Sequence, residues 1–331
     1  MGILPGHSLP NKGFGMGELI VPPPPSTEMV GVPLGLSIGA YDGVHLGHQQ
    51  LLKRMVSRLK SQGLKTLVIT FDISPSLWIR QKTEKSVLTL PAEKGMLMHR
   101  SGIDFIWSLH FDESIRTMEE TVFLDQILAQ GIIIKSYVCG IDHAFGHQKR
   151  GDLSFLRELT YQKKMDLWVE DLVEERQKKI SSSGIRENLL YGEIGAANKQ
   201  LGYYYFCTGQ VISGDGLGRT FGFPTANLAL PFTKLVPGDG VYRGAVYVWN
   251  AYYRAMIYVG KRPTVRDGHE SRVEVYLYDF DDNLYDQEIR VFFIEKIRDE
   301  CRFDNINALR HQIVQDVRAC QHQPIDFQML C

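Results

Sequence analysis

The apolar pattern of this chain changes character once along its length, and that change constrains the fold more than any single motif. From Leu34 to about Glu170, short β-rich runs alternate with segments whose apolar residues recur at helical spacing. Beyond Arg186, β-rich runs follow one another with short turns and almost no helix. The first pattern favours a parallel sheet covered by helices, an open α/β doubly wound parallel sheet, since parallel neighbours need a long crossover. Its strands are expected at Leu34 to Ile38, Lys65 to Phe71, Phe105 to Leu109, Ser136 to Cys139 and Leu167 to Glu170. Helices are expected near Leu46 to Gln62, Ala92 to Ser101, Glu119 to Gln130 and Asp152 to Lys163. Ligands of such sheets bind beyond the carboxyl ends of the strands.

The second pattern predicts an antiparallel β-barrel or sandwich. Two helix-like pieces, Ser182 to Tyr191 and Glu193 to Leu201, lead into strands at Tyr203 to Ser213, Val241 to Val248, Ala251 to Val259, Arg272 to Phe280 and Glu288 to Lys296. A closing helix over Asn305 to Cys320 carries Ile306, Leu309, Ile313 and Val317 on one stripe. The expected organisation is a flexible tail over 1–30, glycine-rich and holding Pro22 to Pro25, then one domain over 31–186 and a second over 187–331.

At 331 residues and 44% hydrophobic content the chain can bury two cores. Lys plus Arg number 37 and Asp plus Glu 38, so no general field draws it to nucleic acid or to an anionic membrane, and small local ligands are expected instead. The cysteines at 139, 207, 301, 320 and 331 are odd in number and lack a Cys-x-x-Cys pair, which argues against a disulfide frame or a thiolate zinc site. They suit a reducing cytoplasm. No apolar run approaches the roughly 20 residues that span a bilayer, and the first thirty residues show no signal pattern.

Three stretches carry candidate chemistry. In Ser37-Ile-Gly-Ala-Tyr-Asp-Gly-Val-His-Leu-Gly-His48 a strand gives way to a glycine-punctuated turn and then a helix, with His45 and His48 at the entry on one face. Unpartnered helical N–H groups there attract anions; two solvated or capping imidazoles are the plainer alternative. Lys178-Lys-Ile-Ser-Ser-Ser-Gly-Ile-Arg186 could hold phosphate oxygens or could be a serine-rich linker with an N-cap. Gly209 to Asn227 fits neither the dinucleotide nor the P-loop glycine fingerprint. It ends in Pro224-Thr-Ala-Asn227, where Thr225 and Asn227 point the same way from extended backbone. Their neutral oxygens suit a Mg²⁺ held mainly by nucleotide phosphates and water. Glu274 alternates with Val273, Val275 and Leu277, a spacing that by itself indicates a water-facing glutamate. His143 and His147 are four apart, but Gly146 between them argues against a helical zinc pair.

From Leu34 to Asp316 the chain resembles the bifunctional riboflavin kinase/FAD synthetase of bacteria. The similarity runs through Gly39 to His48, Gly140-Ile-Asp-His-Ala-Phe-Gly146 and Ile180-Ser-Ser-Ser-Gly-Ile-Arg186 in the first half. In the second it runs through Gly209 to Asn227, Gly240-Val-Tyr242, Gly260-Lys-Arg-Pro-Thr264 and Val273-Glu-Val275. The resemblance implies a nucleotidyltransferase-like first domain that adenylylates FMN to FAD with release of pyrophosphate, and a riboflavin kinase-like barrel that makes the FMN. It implies His45 and His48 as stabilisers of the adenylyl-transfer charge. It implies Gly39, Asp42, Gly43, Asp142, Ser181, Ser182 and Arg186 around the first ATP, and Gly214, Gly218 and Gly222 around the second. Glu274 would be the base that deprotonates the ribityl 5′-hydroxyl, Thr225 and Asn227 the metal contacts, and Arg298 and Phe303 a loop near the flavin. ATP as co-substrate and Mg²⁺ are expected, with riboflavin, FMN and FAD as the other ligands and no tightly bound prosthetic group. Tyr41, Ser183, His143 and Tyr258 stand where the family usually has Phe, Thr, Phe and Asn, and Thr70-Phe-Asp-Ile-Ser-Pro75 lacks its usual Pro-His-Pro ending. That last departure leaves riboflavin kinase activity alone as one alternative; a non-catalytic flavin-binding regulator is another.

Overall fold

A computed structural model describes residues 21–81, 86–141, 143, 145–146, 150–171, 174–175, 178–214, 217–261, 271–321 and 324–330. In chain order the first half contains β1 (Pro33–Ile38), α1 (Leu46–Ser61), β2 (Lys65–Phe71), α2 (Pro75–Ile79), α3 (Pro91–Arg100), β3 (Phe105–Leu109), α4 (Glu113–Thr117), α5 (Glu120–Leu128), β4 (Ile133–Gly140), α6 (Leu153–Gln162) and β5 (Asp166–Glu170). The five strands are parallel in the order β3-β2-β1-β4-β5, the expected doubly wound sheet. β1 and β2 lie inside it and are buried on both faces after their first residue, which is why they read as largely apolar runs without strict alternation. α1 packs Leu52, Met55, Val56 and Leu59 on one face of this sheet. It approaches so closely that a Cβ on Gly35 would sit 2.2 Å from Leu59 Cδ1. α5 and α6 cover the other face through Phe123, Leu124, Ile127, Leu156 and Leu159.

A short hairpin, β6 (Glu174–Glu175) and β7 (Lys178–Lys179), leads to α7 (Ser182–Leu190) and α8 (Ile194–Leu201). β8 (Phe206–Ile212), α9 (Leu217–Thr220), β9 (Ala226–Ala229), β10 (Gly240–Val248), β11 (Ala251–Lys261), β12 (Ser271–Leu277), β13 (Glu288–Arg298) and α10 (Ile306–Gln321) follow. The strands close into a barrel in the order β10-β11-β12-β9-β8-β13, which decides between barrel and sandwich. α10 lies against its outer face, where Val317 and Cys320 meet Val241, Met256 and Tyr278.

Two expectations need correction, the extent of the tail and the start of one strand. The tail expected over 1–30 does not extend to 30: Val21 and Met29 are buried, and Val21 N–H donates to Gln126 Oε1 on α5 at 2.9 Å. The expected boundary, near 186 to 200, falls on α7 and α8, and Ile185 and Leu189 of α7 belong to one apolar cluster that runs from α1 into the barrel interior. The strand expected from Tyr203 begins only at Phe206, because Asn198 Oδ1 accepts the Tyr205 N–H and turns both tyrosines into that cluster.

Candidate active sites

The first site grows from the turn after β1. Two of its non-glycine residues hold positive φ, Tyr41 at 47° and the β-branched Val44 at 33°, a strain of about 1–3 kcal/mol each that needs enforcement by the surroundings. Val44 is fully buried; its N–H donates to Tyr41 O at 3.1 Å and its carbonyl accepts Gln49 Nε2 at 2.9 Å. Gly43, with φ 80°, has no room for a side chain, since a Cβ would lie 2.7 Å from Leu88 Cδ1. The turn delivers His45 as the N-cap of α1, its Nδ1 accepting the His48 N–H at 3.4 Å.

The two imidazoles stack with centroids 3.7 Å apart, and the Tyr41 ring meets His48 edge-on at 5.1 Å. Tyr41 is fixed in turn by its hydroxyl contact with Ser37 Oγ at 2.6 Å. Burial, then the proximity of His45 and Lys94, hold the His48 pKa well below its ordinary value, so its ring is neutral. The ring therefore offers a dipole and carries no charge.

A cavity of about 390 Å³ opens over these rings, lined also by Gly39, Ser74, Ser76, Ser181, Ser182, Ser183 and Arg186. The amino ends of α1 and α7 both face this region, with Ser181 capping α7 by accepting Gly184 N–H at 3.2 Å. Asp42, expected among the phosphate contacts, lines the cavity and is also a buried organiser of the turn. It accepts Leu88 N–H at 3.0 Å and Thr89 N–H at 3.1 Å and forms an ion pair with Arg186, whose Nε also donates to Ser86 O at 2.6 Å. Ser182 Oγ donates to Asp42 O at 2.8 Å. Asp142 and His147 lie outside the described residues, whereas His143 lines the cavity beside the Tyr137 hydroxyl. In the altered 70–75 segment, Thr70 Oγ1 donates to Ala40 O at 3.0 Å, and Asp72 pairs with His110 at 2.6 Å and raises its pKa.

Lys94 on α3 is a member of this site that sequence reasoning missed. Its fully buried ammonium donates to Phe71 O at 2.6 Å and Ala40 O at 2.9 Å, joining the carboxyl ends of β1 and β2. Burial lowers its pKa to about 8 against the opposing pull of Asp42 and Asp72. The available signal was helical spacing, which sets Glu93 and Lys94 on the same buried face as Leu97 and Met98.

The second site lies on the barrel. β12 and β9 pair so that Glu274 stands opposite Asn227. Thr225 Oγ1 donates to Glu274 Oε2 at 2.8 Å, while Arg272 Nε reaches both Glu274 Oε1 at 2.8 Å and Asn227 Oδ1 at 3.0 Å. Glu274 is therefore clamped between a hydroxyl and a guanidinium, which corrects the water-facing alternative. Arg272 was missed because nothing local marks it.

The glycines of the preceding loop have a steric reason. A Cβ on Gly214 would lie 2.0 Å from Asn227 Nδ2, one on Gly218 would lie 2.4 Å from Phe223 O and 3.2 Å from Thr225 Oγ1, and Gly222 holds φ 83°. They let the loop close on Thr225 and Asn227. A cavity of about 400 Å³ lies alongside, lined by Arg219, Thr225, Phe280, Asp281 and Tyr285. Arg298 is held by the Asp316 carboxylate at 2.7 Å, and its guanidinium lies 5.9 Å from the Phe303 ring centroid. Among the described residues no three His, Cys, Asp or Glu side chains are placed to hold a metal ion, and no helix is long and apolar enough to cross a membrane.

Comparison with known proteins matches both halves of the chain. A family model described as FAD synthetase matches residues 32–184, and one described as riboflavin kinase matches 201–323. The chain is similar to the bifunctional riboflavin kinase/FMN adenylyltransferases of Buchnera aphidicola subsp. Schizaphis graminum, at 35% identity over 85% of this chain and 91% of that one, and of Bacillus subtilis, at 34% over 85% and 89%. A solved structure titled as a macrolide-efflux protein from Streptococcus pneumoniae matches with a TM-score of 0.78 at 30% identity, covering 90% of this chain and 97% of that one. With relatives of this identity aligned over most of both chains, the chain belongs to the family of bifunctional riboflavin kinase/FMN adenylyltransferases.

Proposed function

We propose that the barrel transfers the γ-phosphoryl group of ATP to the ribityl 5′-hydroxyl of riboflavin, and that the α/β half joins the resulting FMN to the AMP moiety of a second ATP, forming FAD and releasing pyrophosphate. The observation that carries this reading is that each half holds an assembled polar site within the segment matched to the corresponding family model. The single-activity and non-catalytic alternatives find no such support. We place the division of labour at α7 and α8, the segment between the two matched regions.

In the barrel, Glu274 accepts the hydroxyl proton as the oxygen attacks phosphorus, with Arg272 and Thr225 fixing the carboxylate. In the α/β half, the attacking group is already a phosphate anion, so what is needed is alignment and charge stabilisation at the α-phosphorus. His45, His48, Ser181, Ser182 and the N–H groups at the starts of α1 and α7 supply it, while Arg186, braced by Asp42, sets the positive edge of the cavity. Arg298 and Phe303 contact the flavin side of the barrel site.

The donor set beside Glu274 fits Mg²⁺: Thr225 and Asn227 offer neutral oxygens next to one carboxylate, the composition expected when phosphates and water complete the shell. Bound there with ATP, the ion would neutralise charge on the phosphate oxygens. The free thiols of Cys139, Cys207, Cys301 and Cys320 fit a reducing cytoplasm.

The test is to incubate the protein with riboflavin, ATP and Mg²⁺ and separate the flavins. FMN followed by FAD is expected. FMN alone would reduce the protein to a kinase, and unchanged riboflavin would overturn the reading entirely.

A further inference from the structure

The turn that carries His45 does not stand on its own sheet alone. Its polar groups hang on the segment from Ser86 to Lys94: Leu88 and Thr89 donate their N–H groups to Asp42, Thr89 Oγ1 accepts Gly43 N–H at 3.0 Å, and Lys94 holds Ala40 O. That segment hangs in turn on the barrel half. Ser86 and Val87 donate to Thr233 O, each at 2.9 Å, and Leu235 N–H donates back to Val87 O at 2.9 Å. Glu93 Oε1 accepts Thr208 N–H from β8 at 2.8 Å.

At the centre of this seam lies Lys234. Its side chain is 0% exposed, and its ammonium donates to Leu88 O at 2.7 Å and to Glu93 Oε2 at 2.6 Å, above the Tyr205 ring at 4.8 Å. A buried cation this completely partnered is a costly way to join two surfaces that apolar contact could join as well. What it adds is direction, because it fixes the carbonyl of Leu88 while the N–H of the same residue fixes Asp42.

We propose that Lys234, which lies in the kinase half, is a positioning residue of the adenylyl-transfer site. Through Leu88 and Glu93 it sets where Asp42, and hence Arg186 and the histidine turn, stand relative to the cavity. The inference rests on the assignment of FAD formation to the α/β half.

The experiment uses the full chain with Lys234→Met, and beside it the paired Glu93→Gln/Lys234→Met, which withdraws both charges and leaves no lone carboxylate buried. Riboflavin-to-FMN and FMN-to-FAD conversion are measured separately, with a thermal melt of each protein. The expected result is FMN formation within about twofold of the unsubstituted protein and a kcat for FAD formation lowered about tenfold to a hundredfold, the range that displaced catalytic geometry produces. FAD formation within twofold in a folded variant overturns the proposal. So does an equal loss of both activities, including loss through unfolding, which would assign Lys234 to stability alone. Failure of the unsubstituted protein to make FAD defeats the underlying assignment instead, so the two failures are distinct.

Discussion

The two sites solve different problems with different residue types. The barrel site centres on a carboxylate, Glu274, clamped by Arg272 and Thr225; the sheet site centres on two stacked imidazoles, one held neutral, at a helix entry. The contrast follows from the proposed nucleophiles. A ribityl hydroxyl keeps its proton at neutral pH and needs a base, whereas a phosphate monoester with a second pKa of about 6 arrives ionised and needs only alignment and donors. A chain that performs both steps therefore carries one base.

The largest test of that contrast is Glu274→Gln, which keeps the shape but removes the base. FMN formation should fall by about 10²–10⁴, while conversion of supplied FMN to FAD stays within about twofold; comparable loss of both would erase the distinction. His48→Ala should do the reverse, lowering FAD formation by about 10²–10³ and sparing FMN formation in the same flavin separation. The smallest effect concerns charge. Because the folded His48 pKa lies well below 6.5, its imidazole resonances should show no protonation as pH is lowered through that value. Between the two pKa values the unfolded chain binds a proton that the folded ring refuses, so this residue makes stability decline as pH drops below about 6.5 and contributes no pH dependence above it. A His48 titration near 6.5 would return the sheet site to a cationic mechanism.

The long elements were readable because their apolar period is set locally: β2 and β3 begin and end at the expected residues, and α1 and α6 are displaced by one residue or not at all at each end. Short elements such as α2, α4 and α9 were not read, since four or five residues do not establish a period. The motif residues were legible as motifs, but their division of labour was not. That Asp42 also organises the turn shows only once its partners Leu88, Thr89 and Arg186 are in view, and Arg186 lies 144 residues away. Arg272 and Lys234 are cations with no local signal, and such a buried cation is indistinguishable in sequence from the far commoner solvated one, whereas Lys94 is marked by its helical spacing with Leu97 and Met98.

The Glu93–Lys234 seam also sets an order of events during synthesis. The carboxylate is translated 141 residues before the ammonium that neutralises it, a lag of about 7–28 s at 5–20 residues per second. Throughout that interval Glu93 lacks its paired ammonium, and the Ser86 to Lys94 strip has its contacts to Asp42, Gly43 and Ala40 but none of those to Thr208, Thr233 and Leu235. The sheet can form early on the ribosome, but its histidine turn acquires its last supports only when the barrel closes, so the domain made first is the one completed last.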